Sequence, residues 1–302
     1  MYHCNRILTK MKKIALLLLL LVSMMNVACD KPVSNGDTEI HISYTVNGHD
    51  LITDSLCYTN AAGNQFLINE IQWFISNVTL IGEQGDEYAL GKIFYIDTNI
   101  PESQVLSTAS VPCQRYTSMR FTFGLDREDN VTGLFANPPE RDMFWPEPLG
   151  GGYHYMKLNG KYLDEDGNLA PMNIHLGIGQ NEDLTTFYQN YFTVELPLEL
   201  DLKQDCVNAI QLNMNIDNWF QNPHIYDCQT YGSAIMQNQE AQQLFKENGH
   251  NVFSISSIDH NMEKIVSTLK DLMHKAAPKP HFYTKKNMES LFADFFNHNN
   301  KE

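Results

Sequence analysis

Two histidines and a tryptophan are the residues of this chain whose types and spacing most invite chemistry. His154 follows three glycines and sits between two tyrosines in M-F-W-P-E-P-L-G-G-G-Y-H-Y-M-K-L-N-G; Trp145 stands near the start of that stretch, and His175 lies in M-N-I-H-L-G. Neutral imidazole is a ligand for transition metals: with nitrogen or oxygen partners it suits a divalent ion in flattened geometry, whereas thioether partners suit a monovalent one. On extended strands His154 shares a face with Met156 and His175 with Asn173, so two neighbouring strands would gather the imidazoles on one patch. The structural alternative is a hydrogen-bonded core His175, a solvated His154 and a core or rim Trp145. Trp73, on a strand pattern, reads as core; Trp219 reads as a loop residue that could line a pocket with His224.

Other chemistries lack a motif. The chain holds no G-x-S-x-G, H-E-x-x-H, phosphate-binding loop or dinucleotide fingerprint, and the glycines at 150–152 precede a strand pattern rather than a helix. D-R-E-D-N at 126–130 and D-E-D-G-N at 164–168 alternate oxygens, yet neither has the twelve-residue spacing and terminal glutamate of a calcium loop, so both read as solvated turns. The expectation is a binding protein rather than an enzyme.

The elements that must position these residues are strands. E-I-H-I-S-Y-T-V alternates, with Ile40, Ile42, Tyr44 and Val46 on one face, and similar runs follow at 65–80, 92–96, 118–125, 153–158, 172–177, 187–198 and 208–216, separated by Gly, Pro, Asn and Asp clusters. Such spacing predicts an all-β fold over 39–256, an antiparallel β-sandwich or barrel. The gap K-Y-L-D-E-D-G-N-L-A-P makes a hairpin of the two histidine-bearing strands. The chain then turns helical. Q-N-Q-E-A-Q-Q-L-F-K-E-N-G predicts a helix closed by Asn248-Gly249, and apolar stripes at 262–276 and 287–296 predict two more, giving a C-terminal helical extension over 257–302.

The first residues read as an export leader. A basic patch precedes nine apolar residues from Ile14 to Val22, too few to span a bilayer, and small residues lead to Cys29. Cleavage after Ala28 and acylation of Cys29 would leave a lipid-anchored tether over 29–38, placing the protein in the cell envelope, periplasmic or at the outer-membrane surface. Losing Arg6, Lys10, Lys12 and Lys13, unopposed by any acid, would move the net charge from −15 to −19. A surface so acidic repels phosphate backbones, so nucleic acid is excluded as the expected partner. In an oxidising compartment the even set Cys57, Cys113, Cys206 and Cys228 predicts two disulfides, for which Cys206 with Cys228 and Cys57 with Cys113 is the favoured of three pairings. The absence of C-x-x-C argues against a zinc ribbon or thioredoxin-type site.

Taken in order, L-C-Y-T-N-A-A-G-N-Q-F-L-I-N-E-I-Q-W-F-I-S-N-V-T-L, Y-T-S-M-R-F-T-F-G-L-D, the M-F-W-P stretch and M-N-I-H-L-G resemble the MbnP-like family over about 39–254. That family consists of exported β-rich proteins associated with copper, its namesake encoded beside methanobactin genes. The resemblance implies a β-sandwich that binds copper, in some members through histidines and a tryptophan oxidised to kynurenine, with a di-haem protein of the cytochrome c peroxidase type as the oxidising partner. Trp145 falls on the family's Met-aromatic-Trp and His175 on its histidine-glycine position, while His154 lies one residue beyond its Gly-Tyr. The chain departs from the family at Pro146, Glu147 and Pro148, where a second tryptophan is usual, and it has no tryptophan-x-histidine pair. The implied function is a copper-holding envelope lipoprotein with His175, His154 and Trp145 at the metal. The alternative is an envelope module that binds a protein or glycan without metal.

Overall fold

The computed structural model describes residues 34–204, 207–232 and 234–257. The expected helices at 262–276 and 287–296, the leader and Cys29 lie outside the described residues.

Nine strands carry the architecture: β1 (Asn35–Val46), β2 (Gln65–Gly82), β3 (Glu87–Asp97), β4 (Arg115–Phe123), β5 (Met156–Leu163), β6 (Leu169–Leu176), β7 (Phe192–Asp201), β8 (Val207–Asn215) and β9 (Phe253–Ser257). They form two sheets. One runs β9-β8-β1 and then the short strand His49–Asp50; the other runs β6-β5-β2-β4-β7, with β3 also paired to β2. The expected alternation in β1 is observed, since Ile40, Ile42, Tyr44 and Val46 are all buried. They face the other sheet. Trp73 of β2 donates its indole N–H to the Tyr44 hydroxyl at 3.0 Å, and its ring lies 5.6 Å from that of Phe253, while Phe121 lies 5.2 Å from Phe253. Aromatic pairs at these separations add to simple area burial, so rings reinforce the apolar contact between the two sheets. The sandwich differs from an all-antiparallel one at a single major pairing: β1 lies parallel to β8, with Ile40 opposite Ile210 and Tyr44 opposite Met214.

The middle of β2 organises the site. Along one edge β2 pairs first with β5, from Phe66 to Trp73, and then with β4, from Ile75 to Gly82. The handover falls at Phe74, whose N–H donates to the Tyr155 carbonyl at 3.0 Å and whose own carbonyl accepts from Gly124 N–H at 2.8 Å. The chain therefore leaves the sheet after β4 and re-enters at β5 at one residue. The intervening excursion, 124–155, contains Trp145 and His154.

Three helices follow β8: α1 (Asp217–Gln221), α2 (Cys228–Tyr231) and α3 (Gln239–Gly249). The last is the helix the sequence predicts. The Asn238 side chain caps it by accepting from Ala241 N–H at 3.0 Å, and Ala241, Leu244, Phe245 and Asn248 are buried at helical spacing. Its closing residues do more than end it. A Cβ on Gly249 would lie 2.1 Å from Phe192 Cζ, so the glycine makes room for a ring rather than a left-handed cap. Asn248 is fully buried and spans Trp219 and His224, donating to both carbonyls at 2.8 Å. Trp219 itself is fully buried on α1 rather than placed in a loop. Among the described residues no helix is long and apolar enough to cross a membrane.

The expected disulfides are not formed: Cys57, Cys113 and Cys228 are free, and Cys206 lies outside the described residues. Cys57 precedes Tyr58, which pairs with Phe66 at one end of β2; Cys113 precedes β4, whose Tyr116 pairs with Gly82 at the other end. At ~3.3 Å per residue those ends lie on the order of 50 Å apart, whereas a disulfide needs Cα atoms within about 7 Å. Cys228 is buried against Met172, its sulfur 4.0 Å from Sδ, and burial pushes its thiol up to about 12.

Candidate metal centre

The three residues singled out by sequence meet at the foot of the excursion. The Trp145 ring lies 4.7 Å from that of His154, and His154 lies 5.1 Å from His175, both edge to face.

His154 is not on a strand. Gly150, Gly151 and Gly152 all have positive φ, at 114°, 69° and 80°, a region open to glycine at little cost. They curl the chain back so that Trp145 N–H donates to the Gly152 carbonyl at 2.8 Å and His154 N–H to the Met143 carbonyl at 2.6 Å. The strand starts only at Met156. The same curl brings His154 Nδ1 to 2.9 Å from the Met143 carbonyl and leaves the side chain 5% exposed, a buried histidine rather than a solvated one.

Trp145 is fully buried. Its indole N–H donates to the Leu149 carbonyl at 3.0 Å, so the ring closes its own turn. It rests on Gly177, where a Cβ would come within 2.5 Å of Cε3. An unmodified indole offers a metal no lone pair, and in this geometry Trp145 is a wall beside the histidines.

His175 comes from β6, on the face of the sheet that carries Lys157 and Asn159 of β5. The D-E-D-G-N segment makes the expected hairpin turn: Asp164 accepts from Asp166 and Asn168 N–H, and Lys157 then falls opposite His175 in register. His175 Nε2 sits 2.8 Å from Asn159 Oδ1. Lys157 donates to the Asp142 carbonyl at 2.7 Å. Burial, then the Lys157 ammonium, pushes His154 down to about 3 despite its contacts with the Met143 and Phe144 carbonyls; the same two causes push His175 down to about 4. Both rings are neutral near pH 7, the form that binds metal.

Helix α3 holds this strand end in place through Gln242, which is fully buried. Its amide nitrogen donates to the His175 carbonyl at 2.8 Å and to the Ile235 carbonyl at 3.2 Å; its oxygen accepts from Gly177 N–H and Asn190 Nδ2, each at 3.2 Å. Gln242→Leu keeps the shape but strands these partners, so we expect a loss of about 3 kcal/mol in urea unfolding. A loss below about 1 kcal/mol would show that the network is dispensable.

Sequence reading found Trp145, His154 and His175 but missed Lys157, Asn159, Met143 and Gln242. The first two were within reach, because the hairpin turn fixes the register that sets them beside His175. A backbone carbonyl and a glutamine from a distant helix leave no comparable signal.

The residues fit a metal in one telling respect: His154 Nε2 is buried with no hydrogen-bond partner, a cost that a cation would remove. The donor set is small. Among the described residues no group of three or more His, Cys, Asp or Glu is arranged to hold a metal, so the site offers two imidazoles. A cleft of about 400 Å³ lined by Arg115, Thr117, Pro197, Glu199 and Ser256 lies elsewhere, between β4, β7 and β9.

Comparison with known proteins bears on identity. The solved structure of MbnP from Methylosinus trichosporium is similar at 12% sequence identity and a TM-score of 0.49, over 75% of this chain and 100% of that one. No curated protein matches. The family model MbnP matches residues 35–237, a span that includes Trp145, His154 and His175 and well over half of the 302-residue chain; the chain belongs to the MbnP family.

Proposed function

We propose that the protein is an envelope lipoprotein, anchored through Cys29, that holds copper at His154 and His175 beside Trp145 and does not catalyse a reaction. The observation that carries this reading is the unpartnered, buried Nε2 of His154 next to a second neutral imidazole. When bound, copper supplies a cationic centre for these lone pairs. The chain's own residues exclude water, through Trp145 and the glycine turn, and keep both rings deprotonated, through burial and Lys157. A di-haem cytochrome c peroxidase-like protein that would oxidise Trp145 is the partner that goes with this reading, while the two imidazoles offer their lone pairs with or without that step.

One observation favours the rival, an envelope module that binds a protein or glycan without metal: the Lys157 ammonium stands opposite His175, where it repels any cation. Copper titration separates the two. The purified 34–257 chain with both histidines should bind about one copper per chain, and His154→Ala and His175→Ala should each abolish binding while leaving the fold intact. Binding no higher than that of the double variant would refute the copper reading.

A further inference from the structure

The hydrogen bonds around the two histidines fix which nitrogen of each ring carries its lone pair. A neutral imidazole has one N–H and one acceptor nitrogen, and the partner of one decides the role of the other. For His154 the partner of Nδ1 is the Met143 carbonyl at 2.9 Å. A carbonyl only accepts, so Nδ1 carries the proton and the lone pair falls on Nε2, the atom buried without a partner.

For His175 the partner is an amide, which can present either end. Asn159 is committed by its other contact: its Nδ2 donates to Glu70 Oε2 at 3.3 Å, and Glu70 Oε1 accepts from Asn99 Nδ2 at 2.7 Å. A carboxylate facing an amide oxygen would set acceptor against acceptor. The amide nitrogen must therefore face Glu70, and Oδ1 must face His175, 2.8 Å from Nε2. His175 then carries its proton on Nε2 and its lone pair on Nδ1.

We infer that Glu70 and Asn159 are positioning residues that lock His175 in the tautomer opposite to that of His154, so that the pair presents Nε2 of His154 and Nδ1 of His175. Only the identity of the ligand rests on the proposed copper function. The tautomers belong to the metal-free protein.

Long-range proton–nitrogen correlation spectra of the 15N-labelled protein near pH 7 read these protons directly. The expected result is an Nδ1–H ring at His154 and an Nε2–H ring at His175. Glu70→Leu frees the Asn159 amide to turn, and the ratio of Nε2–H to Nδ1–H at His175 should fall roughly fivefold, about the worth of one hydrogen bond. Glu70→Gln, whose oxygen still accepts, should restore it; a merely structural role at position 70 would not separate Gln from Leu in this ratio. An Nδ1–H ring at His175 in the unsubstituted protein, or a ratio unmoved by Glu70→Leu, overturns the inference. Silver(I), a diamagnetic soft cation, then tests the ligating atoms: shifts at His154 Nε2 and His175 Nδ1 support the assignment, and a shift at His175 Nε2 overturns it. Silver that moves neither ring, with the tautomers as stated, refutes the metal-holding function and leaves the Glu70–Asn159 lock standing.

Discussion

Trp145→Ala should destabilise the protein by about 3–5 kcal/mol, the range for emptying a buried aromatic site. The ring is fully buried, packs on Gly177 and His154, and ties down the Leu149 carbonyl through its N–H. Its removal leaves a cavity and an orphaned acceptor together. Gly177→Ala attacks the same contact from the other side, since its methyl would stand 2.5 Å from Cε3, and should cost about 1–3 kcal/mol alone. In the Trp145→Ala background that methyl falls into the vacated space, so the double variant should be more stable than the sum of the singles predicts. Urea unfolding of the four proteins measures this. Strict additivity, or a Trp145→Ala cost below about 1 kcal/mol, would mean that the ring is a rim aromatic and no wall to the site.

Acid should unfold the metal-free protein through the two histidines before its carboxylates titrate. Their folded values, about 3 for His154 and about 4 for His175, lie below the ordinary 6.5, so the unfolded chain binds protons that the folded one refuses. Stability is then fullest above pH 6.5 and falls as the pH drops toward the folded values. At pH 5 each histidine has been charged in the unfolded state by about 1.5 pH units, which costs about 2 kcal/mol apiece relative to neutral pH. His250, also lowered by burial, acts in the same direction. The carboxylates held low, Asp126, Asp227 and Glu247, contribute only below this window. Unfolding midpoints at pH 7 and pH 5 give the comparison, and His175→Gln should remove about half of the loss. Equal stability at both pH values would show that the imidazoles are not desolvated.

Much of this was legible in the sequence because strand alternation is a local signal. The buried set Ile40, Ile42, Tyr44 and Val46 and the hairpin around Asp164 follow from period two and one turn, whereas the convergence of His154 with His175 does not: on an extended strand His154 would share the face of Met156, which pairs with Leu176, while His175 pairs with Lys157. The errors fall where the deciding contact is remote or the conformation is special. Nothing near residue 40 announces a parallel partner at residue 210. Three glycines read as a turn, but not as one tight enough to take His154 off its strand and bury it. Cysteine parity reports a compartment and says nothing of distance, so the expected Cys57–Cys113 pair would have to span the length of β2. Asn248-Gly249 does end the helix as expected, but its residues also serve a buried amide clamp and the close approach of Phe192, which composition does not announce.

The handover at Phe74 bears on how such a site could arise and change. One residue, Phe74, clips both ends of the 124–155 excursion, donating its N–H to the Tyr155 carbonyl and accepting at its own carbonyl from Gly124 N–H. The insertion point is therefore closed whatever hangs from it. Doubling or halving the length of a segment so anchored alters its closure entropy by only about 0.6 kcal/mol, and no strand pairing has to shift register to accommodate the change. The sandwich can keep its sheets while exchanging the hanging segment, and with it the groups set over His175, so that the segment is a replaceable cartridge in a fixed chassis.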